Sequence, residues 1–92
     1  MRVTIRKKRW ELVFRNLDKD ERWAYCEAPH EKGKEIVIDS GLHGAHRLSC
    51  LVHEILHSAC WDLDEDAVQS AADDLAKILW RLGYRGPDDD ED

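Results

Sequence analysis

The sequence predicts an α+β fold in which a small β-sheet of three or four strands packs on two α-helices. Two observations support this fold class. Up to residue 39, apolar side chains alternate with polar ones or form short β-branched runs, as they do in strands. From residue 45 to 82 they recur every three or four positions, as on one face of a helix. The length of 92 residues favours one domain with a modest core.

The first strands are predicted within residues 2–15, where apolar side chains alternate with charged ones. The apolar positions follow a period of two in parts, which is typical of half-buried strands: Val3, Ile5, Trp10, Leu12 and Phe14. Residues 16–21 are polar except for Leu17 and are predicted to form a turn.

Two further strands are predicted at residues 22–28 and 35–39. Pro29 ends the first of them, because proline has no backbone N–H to donate to a sheet. The segment 35–39 is the most β-branched part of the chain, which is typical of a buried strand.

The first helix is predicted at residues 45–60, after a break in the β pattern at residues 40–44. Its apolar residues recur at helical spacing: Leu48, Leu51, Val52, Ile55, Leu56 and Ala59.

The second helix is predicted to begin after Asp64 as N-cap and to run to about Leu82, with Gly83 just beyond its end. Acidic residues in the first turn suit the positive end of the helix dipole. Its predicted inward stripe consists of Val68, Ala72, Leu75, Leu79 and Leu82.

Charge is unevenly distributed along the chain. Residues 1–36 carry 10 Lys or Arg and 7 Asp or Glu, a net +3, whereas residues 37–92 carry 4 and 13, a net −9. The basic residues cluster at the start of the chain: Arg2, Arg6, Lys7, Lys8 and Arg9. A nucleic-acid contact is one interpretation, but the total charge of −6 favours a solvated strand and no nucleic-acid partner. Residues 87–92 are predicted to be an acidic, disordered tail.

The sequence favours a cytoplasmic protein (in the host cytoplasm if it is viral). Three cysteines without regular spacing do not suggest a disulfide framework, and free thiols persist in a reducing compartment. The first ten residues lack the apolar stretch of a signal peptide, and no run approaches transmembrane length, so no membrane partner is expected.

Residues 53–57 read His-Glu-Ile-Leu-His, within the first predicted helix. Histidines four positions apart project from the same helix face, so His53 and His57 can hold one zinc ion. Glu54 lies about 100 degrees around the helix from His53, beside the metal, where it can take a proton from a water molecule. A structural zinc site on the same face, with Cys50 and Cys60, is disfavoured because one helix face cannot surround a tetrahedral ion.

A third zinc ligand is expected just downstream, because a catalytic zinc usually takes three protein ligands and leaves one position open. The candidates are Asp62, Asp64, Glu65 and Asp66. Glu65 lies on the inward side of the second helix, three residues before Val68. Asp66 falls on the solvent side and Asp64 is better used as the cap. Helical phase therefore favours Glu65, while Asp62 stays open if the turn folds back over the first helix.

The HExxH helix, the strand before it and an acidic residue that opens the next helix resemble the zincin metallopeptidases over roughly residues 35–82. The chain is most similar to the gluzincins, in which a glutamate on the following helix completes the zinc site. In size it resembles the single-domain minigluzincins and the short HExxH proteins carried by phages. Glu65 follows His57 by eight residues, a shorter spacing than in the large gluzincins.

This resemblance implies a minimal zincin-like, metal-binding domain over residues 1–86, with Zn²⁺ held by His53, His57 and Glu65. It also implies peptide-bond hydrolysis by a zinc-activated water with Glu54 as general base. The strand before the helix is then expected at the sheet edge, where an extended peptide or protein substrate pairs with it. The alternative is a zinc-binding regulator or interaction module that keeps the fold without proteolysis.

Overall fold

A computed structural model describes residues 1–17 and 23–86, which form a mixed four-stranded sheet and two helices. The elements are β1 (Arg2–Ile5), β2 (Lys8–Arg15), β3 (Ala24–Cys26), β4 (Glu35–Asp39), α1 (Gly44–Ala59) and α2 (Glu65–Arg81). The predicted α+β fold class, with its sheet and two helices, is confirmed. The predicted tail at residues 87–92 and most of the turn at 16–21 lie outside the described residues.

The sheet has the strand order β1-β2-β4-β3. β2 runs parallel to β4, while β1 and β3 pair antiparallel with their neighbours. β4, which precedes α1, therefore lies inside the sheet, and its expected position at the sheet edge is wrong. The physical reason is that β3 returns along the outer side of β4, with Tyr25 opposite Val37. In the described part of the chain, β1 and β3 are the two edge strands, and β3 is in more extensive contact with α1 than β1 is.

A two-residue turn joins β1 to β2. Both of its residues have positive φ, 49° for Arg6 and 71° for Lys7. A tight hairpin turn of this kind normally contains Asn or Gly, and neither occurs here, so the sequence did not locate the turn. The Arg6 guanidinium donates a hydrogen bond of 2.9 Å to the carbonyl of Ala59. The turn thereby stabilises the last turn of α1, where backbone carbonyls have no helical partner.

The core lies between the sheet and α1. Trp10, Ile36 and Ile38 are fully buried, as expected for alternate positions of neighbouring strands. Leu51 of α1 packs against this cluster. The period-two prediction is wrong for Phe14, which is 51% exposed. Its side chain lines an open cavity together with Arg47 and Leu51 of α1, so the helix does not bury it fully.

α2 begins as predicted at an Asp64 cap, whose carboxylate accepts a hydrogen bond of 3.0 Å from the backbone N–H of Ala67. Gly83 follows the helix with a φ of 93°, which glycine adopts without steric cost. The buried face of α2 consists of Val68, Ala72 and Ala76. The predicted stripe is wrong at Leu75 and Leu82, which are 41% and 68% exposed. The small residues Ala72 and Ala76 face α1, whereas the larger Leu75 and Leu82 lie to one side of the contact between the two helices.

The described residues include no helix that is long and apolar enough to span a bilayer. All three cysteines, Cys26, Cys50 and Cys60, are free thiols.

Candidate metal centre

His53 and His57 lie on the same face of α1, as their spacing of four residues predicts. Their ring centroids are 4.8 Å apart and the ring planes are inclined by 60°. Both side chains are largely buried, with 13% and 20% exposure. The two imidazoles therefore present their Nε2 atoms to a shared space beside the start of α2.

Glu65, the first residue of α2, faces both histidines. Its Oε1 lies 2.6 Å from Nε2 of His57 and 3.3 Å from Nε2 of His53. The short connection over residues 60–64 turns the chain back on α1, and the Asp64 cap sets the direction of the first turn of α2. These constraints bring two imidazoles from α1 and one carboxylate from α2 close together.

The three side chains form a group that could hold a metal ion. One potential ligand atom from each of His53, His57 and Glu65 lies within 4.8 Å of the others. Tetrahedral zinc with ligands at about 2.0–2.2 Å requires ligand atoms about 3.3 Å apart. The 2.6 Å contact between His57 and Glu65 must therefore open slightly. Glu65 can make this adjustment, because its side chain is 64% exposed.

The other acidic candidates do not join this group in the part of the chain that the structure describes. Asp64 uses its carboxylate to cap α2. Asp62 and Asp66 are exposed and lie outside the group of potential ligands. The helical-phase argument thus led to the acidic residue that the structure places beside the two histidines.

Glu54 is the buried carboxylate of the site, with 8% exposure. Burial raises its pKa above the ordinary value of 4.5, and the negative charge of Glu65 adds to this rise. His53 and His57 act in the opposite direction and lower the pKa. Glu54 lines a cavity of about 230 Å³ together with His57, Cys26 and Trp61. A potential base and a potential metal ligand therefore open into the same space.

Burial and nearby carboxylates favour the neutral thiol over the thiolate at two cysteines near the site. The pKa of Cys26 is raised to about 12, mainly by burial and then by the charge of Glu54. Burial, Glu54 and Asp73 also raise the pKa of Cys50. Among residues 1–17 and 23–86, neither Cys50 nor Cys60 belongs to the His53 group. The geometry therefore gives no support to the Cys/His structural site.

A polar network joins the two helices beside the metal centre, and the sequence did not reveal it. Asp73 accepts hydrogen bonds from the Ser49 hydroxyl at 2.9 Å and from the Gln69 amide at 3.1 Å. These two hydrogen bonds lower the pKa of Asp73, and the bond from Gln69 has the larger effect. Ser49 precedes His53 by one helical turn, and Gln69 follows Glu65 by one turn. The bond between Ser49 and Asp73 therefore links α1 to α2 one helical turn from His53.

Cys26 and Trp61 are the cavity residues that sequence reasoning did not connect with the site. Trp61 lies only two residues beyond the end of α1, so its closeness to His57 in the sequence was a signal that it could lie near the site. No local sequence pattern connected Cys26 with the site, because only the pairing of β3 with β4 brings it to Glu54.

Comparison of the chain with protein-family models, with curated proteins and with solved structures found no match. The interpretation of the site therefore rests on its residues and their geometry.

Proposed function

We propose that the protein is a zinc-dependent metallopeptidase of the zincin type. His53, His57 and Glu65 bind the ion, and Glu54 acts as general base. One observation carries this proposal: two imidazole nitrogens and a carboxylate converge beside a buried glutamate that lines a cavity. The site combines a set of metal ligands with a group that can move a proton.

The donor set favours zinc over the alkaline-earth ions. Two imidazoles and one carboxylate suit a borderline-soft ion, whereas calcium and magnesium prefer oxygen ligands alone. Three protein ligands leave one coordination position for substrate or solvent, as in catalytic zinc sites. When bound, zinc supplies a Lewis acid that polarises a carbonyl oxygen and lowers the pKa of water.

Glu54 supplies the proton transfers. Its buried carboxylate has a raised pKa, which brings a carboxyl group closer to the range in which it can both accept and return a proton near neutral pH. In the proposed reaction Glu54 accepts a proton from the attacking water and then donates it to the leaving nitrogen. The carboxylate is regenerated, so one residue serves both steps.

The edge strand β3 supports a peptide as the substrate. It contacts α1, and its last residue, Cys26, lines the cavity next to Glu54. In the described part of the chain β3 has one neighbouring strand, β4, so its other side can accept an extended peptide. A peptide paired there passes the cavity with its scissile bond near Glu54.

A second candidate, a zinc-binding regulator or interaction module without proteolytic activity, is favoured by the size of the cavity. Its volume of about 230 Å³ is smaller than the roughly 300–1,000 Å³ of typical ligand pockets. β3 also offers three residues for pairing, which limits the affinity for a peptide.

For either candidate we propose the cytoplasm as the location (the host cytoplasm for a viral protein). Cys26, Cys50 and Cys60 are free thiols, which fits a reducing compartment.

The decisive experiment combines metal analysis with digestion of a peptide library. Wild-type protein and Glu54→Gln are each expected to retain about one zinc ion per chain, because Glu54 is not a ligand. The wild-type protein should cleave peptides, and Glu54→Gln should be slower by roughly 100- to 10,000-fold. Glu31→Gln, a change at an exposed glutamate, is the matched control and should remain active.

The other outcomes separate the two candidates. Stoichiometric zinc without cleavage by the wild-type protein would favour the regulator. Absence of zinc, together with unchanged stability of His53→Ala in added zinc, would exclude both.

A further inference from the structure

α2 carries an apolar stripe that does not face α1. It consists of Ala71, Leu75, Ile78 and Leu82, which are all exposed. Leu75, Ile78 and Leu82 are 41%, 55% and 68% exposed, although they are large aliphatic side chains. The stripe is distinct from the buried positions Val68, Ala72 and Ala76. Its exposure means that the fold of one chain leaves this part of α2 uncovered in the described residues.

The spacing of the stripe is that of a helix–helix seam. Successive members are four, three and four residues apart, the alternation found at the core positions of coiled coils. α2 already packs on α1 through its other face and has few contacts with the sheet. A further helix can therefore lie along the stripe without displacing any element of the fold.

Two residues of opposite charge flank the stripe on its outer side. Asp74 and Arg81 each directly precede a stripe leucine, Leu75 and Leu82, and are seven residues apart. They occupy equivalent positions of successive heptads. Both are exposed, and the described part of the chain contains no ion-pair partner for either.

We propose that a second copy of this chain covers the stripe, with the two α2 helices antiparallel about a twofold axis. In this arrangement Leu75 packs against Ile78 of the second copy, and Ala71 against its Leu82. Equivalent flanking positions meet across an antiparallel seam, so Asp74 of each copy faces Arg81 of the other. The dimer contains this ion pair twice and pairs charges that have no ion-pair partner among residues 1–17 and 23–86.

A parallel pairing lacks this complementarity. In a parallel coiled coil, a residue that directly precedes a core position (heptad position g) lies opposite a residue that directly follows a core position (heptad position e) on the partner helix. Asp74 would then face Leu79, and Arg81 would face Gly86. The order of charges along α2 thus selects the antiparallel orientation.

A second copy of the chain is also a better partner for the stripe than a membrane surface is. Asp74 borders the stripe, and the chain carries a net charge of −6, which opposes attraction to anionic lipids. The interface contains four side chains from each copy, so the dimer is expected to be weak and to depend on concentration.

Sedimentation equilibrium of the full chain over a range of concentrations tests the proposal. The wild-type mass should rise with concentration from 10.7 kDa towards twice that value. Ile78→Glu should remain at the mass of one chain, while circular dichroism shows an intact fold. Lys77→Glu, on a different face of α2, is the matched control and should dimerise like the wild type.

A charge exchange tests the orientation without altering the apolar seam. Asp74→Arg and Arg81→Asp should each weaken the dimer by about tenfold, because each places like charges opposite one another twice. The double variant should recover wild-type association. A wild-type mass of 10.7 kDa up to about 1 mM, a double variant no tighter than the single ones, or vesicle binding by a monomeric chain would overturn the proposal.

Discussion

The Oε1 atom of Glu65 lies 2.6 Å from Nε2 of His57, although the two residues belong to different helices. The same oxygen lies 3.3 Å from Nε2 of His53, so one carboxylate contacts both imidazoles. The proposed zinc ion would bind these same nitrogen and oxygen atoms and so take the place of the direct contact.

Glu65→Ala is therefore expected to weaken zinc binding by more than the roughly 10- to 100-fold that loss of an outer-shell partner causes. The variant keeps both imidazoles but removes the one ligand that α2 contributes. Asp66→Ala is the matched control and should bind zinc like the wild type, because Asp66 lies outside the ligand group. Zinc titration with a competing chromophoric chelator measures both affinities. An equal loss in the two variants would contradict the assignment of Glu65.

Removal of zinc is expected to lower the thermal stability of the wild-type protein. The proposed ligands come from α1 and α2, so a bound ion links the two helices and stabilises the folded state. At free zinc 100 times the dissociation constant, this stabilisation is about 2.7 kcal/mol. In a domain of this size it should raise Tm by more than about 10 °C.

Scanning calorimetry with added zinc and with a chelator measures this effect. A His53→Ala/His57→Ala variant should have the same Tm in both conditions. A zinc-dependent Tm in that variant would place the ion elsewhere.

Glu54→Gln should make the metal-free protein more stable at neutral pH. Burial raises the pKa of Glu54, so the folded state binds its proton more tightly than the unfolded chain. The wild type therefore loses stability as pH rises from the ordinary value of 4.5 through the raised pKa. Glutamine does not titrate and avoids this loss.

Thermal unfolding from pH 4 to pH 8 in the presence of a chelator tests the effect. The difference in Tm between Glu54→Gln and the wild type should increase as pH rises. Glu31→Gln should show no such trend, because Glu31 is exposed. A constant difference at every pH would mean that Glu54 does not carry the effect.

Lys7→Gly is expected to stabilise the fold by about 0.5–1 kcal/mol, because Lys7 has a φ of 71° in the β1–β2 turn. Lys8→Gly is the control, since Lys8 lies in β2 without a positive φ and glycine weakens a strand. Urea denaturation should therefore show a higher midpoint for Lys7→Gly and a lower one for Lys8→Gly. A lower midpoint for both would show that the turn does not favour glycine.

Much of this fold could be predicted from local sequence. Helical spacing and the Asp64 cap located α1 and α2, because these signals depend on residues within one or two turns of each other. The relation of His53, Glu54 and His57 follows from helix geometry in the same way. The phase of α2 also predicted that Glu65 lies on the side of the helix that faces α1, where it contacts both histidines.

The rest depended on contacts between residues far apart in the chain. Strand order is one example: local sequence indicated a buried strand at residues 35–39, but only pairing with β3 moved it away from the sheet edge. The hairpin turn at Arg6 and Lys7 lacked the usual residues, because its conformation is imposed by the pairing of β1 with β2.

The sequence alone thus determined the two imidazoles and the neighbouring carboxylate, since a helix places residues four apart on one face. Tertiary structure decided which face of each helix is covered. It buried Glu54 beside Cys26 of the edge strand, and it left Leu75 and Ile78 in solvent. The physical reason is that an apolar arc wider than one neighbouring helix cannot be fully covered by that neighbour. Periodicity finds such an arc, whereas packing decides which part of it remains exposed.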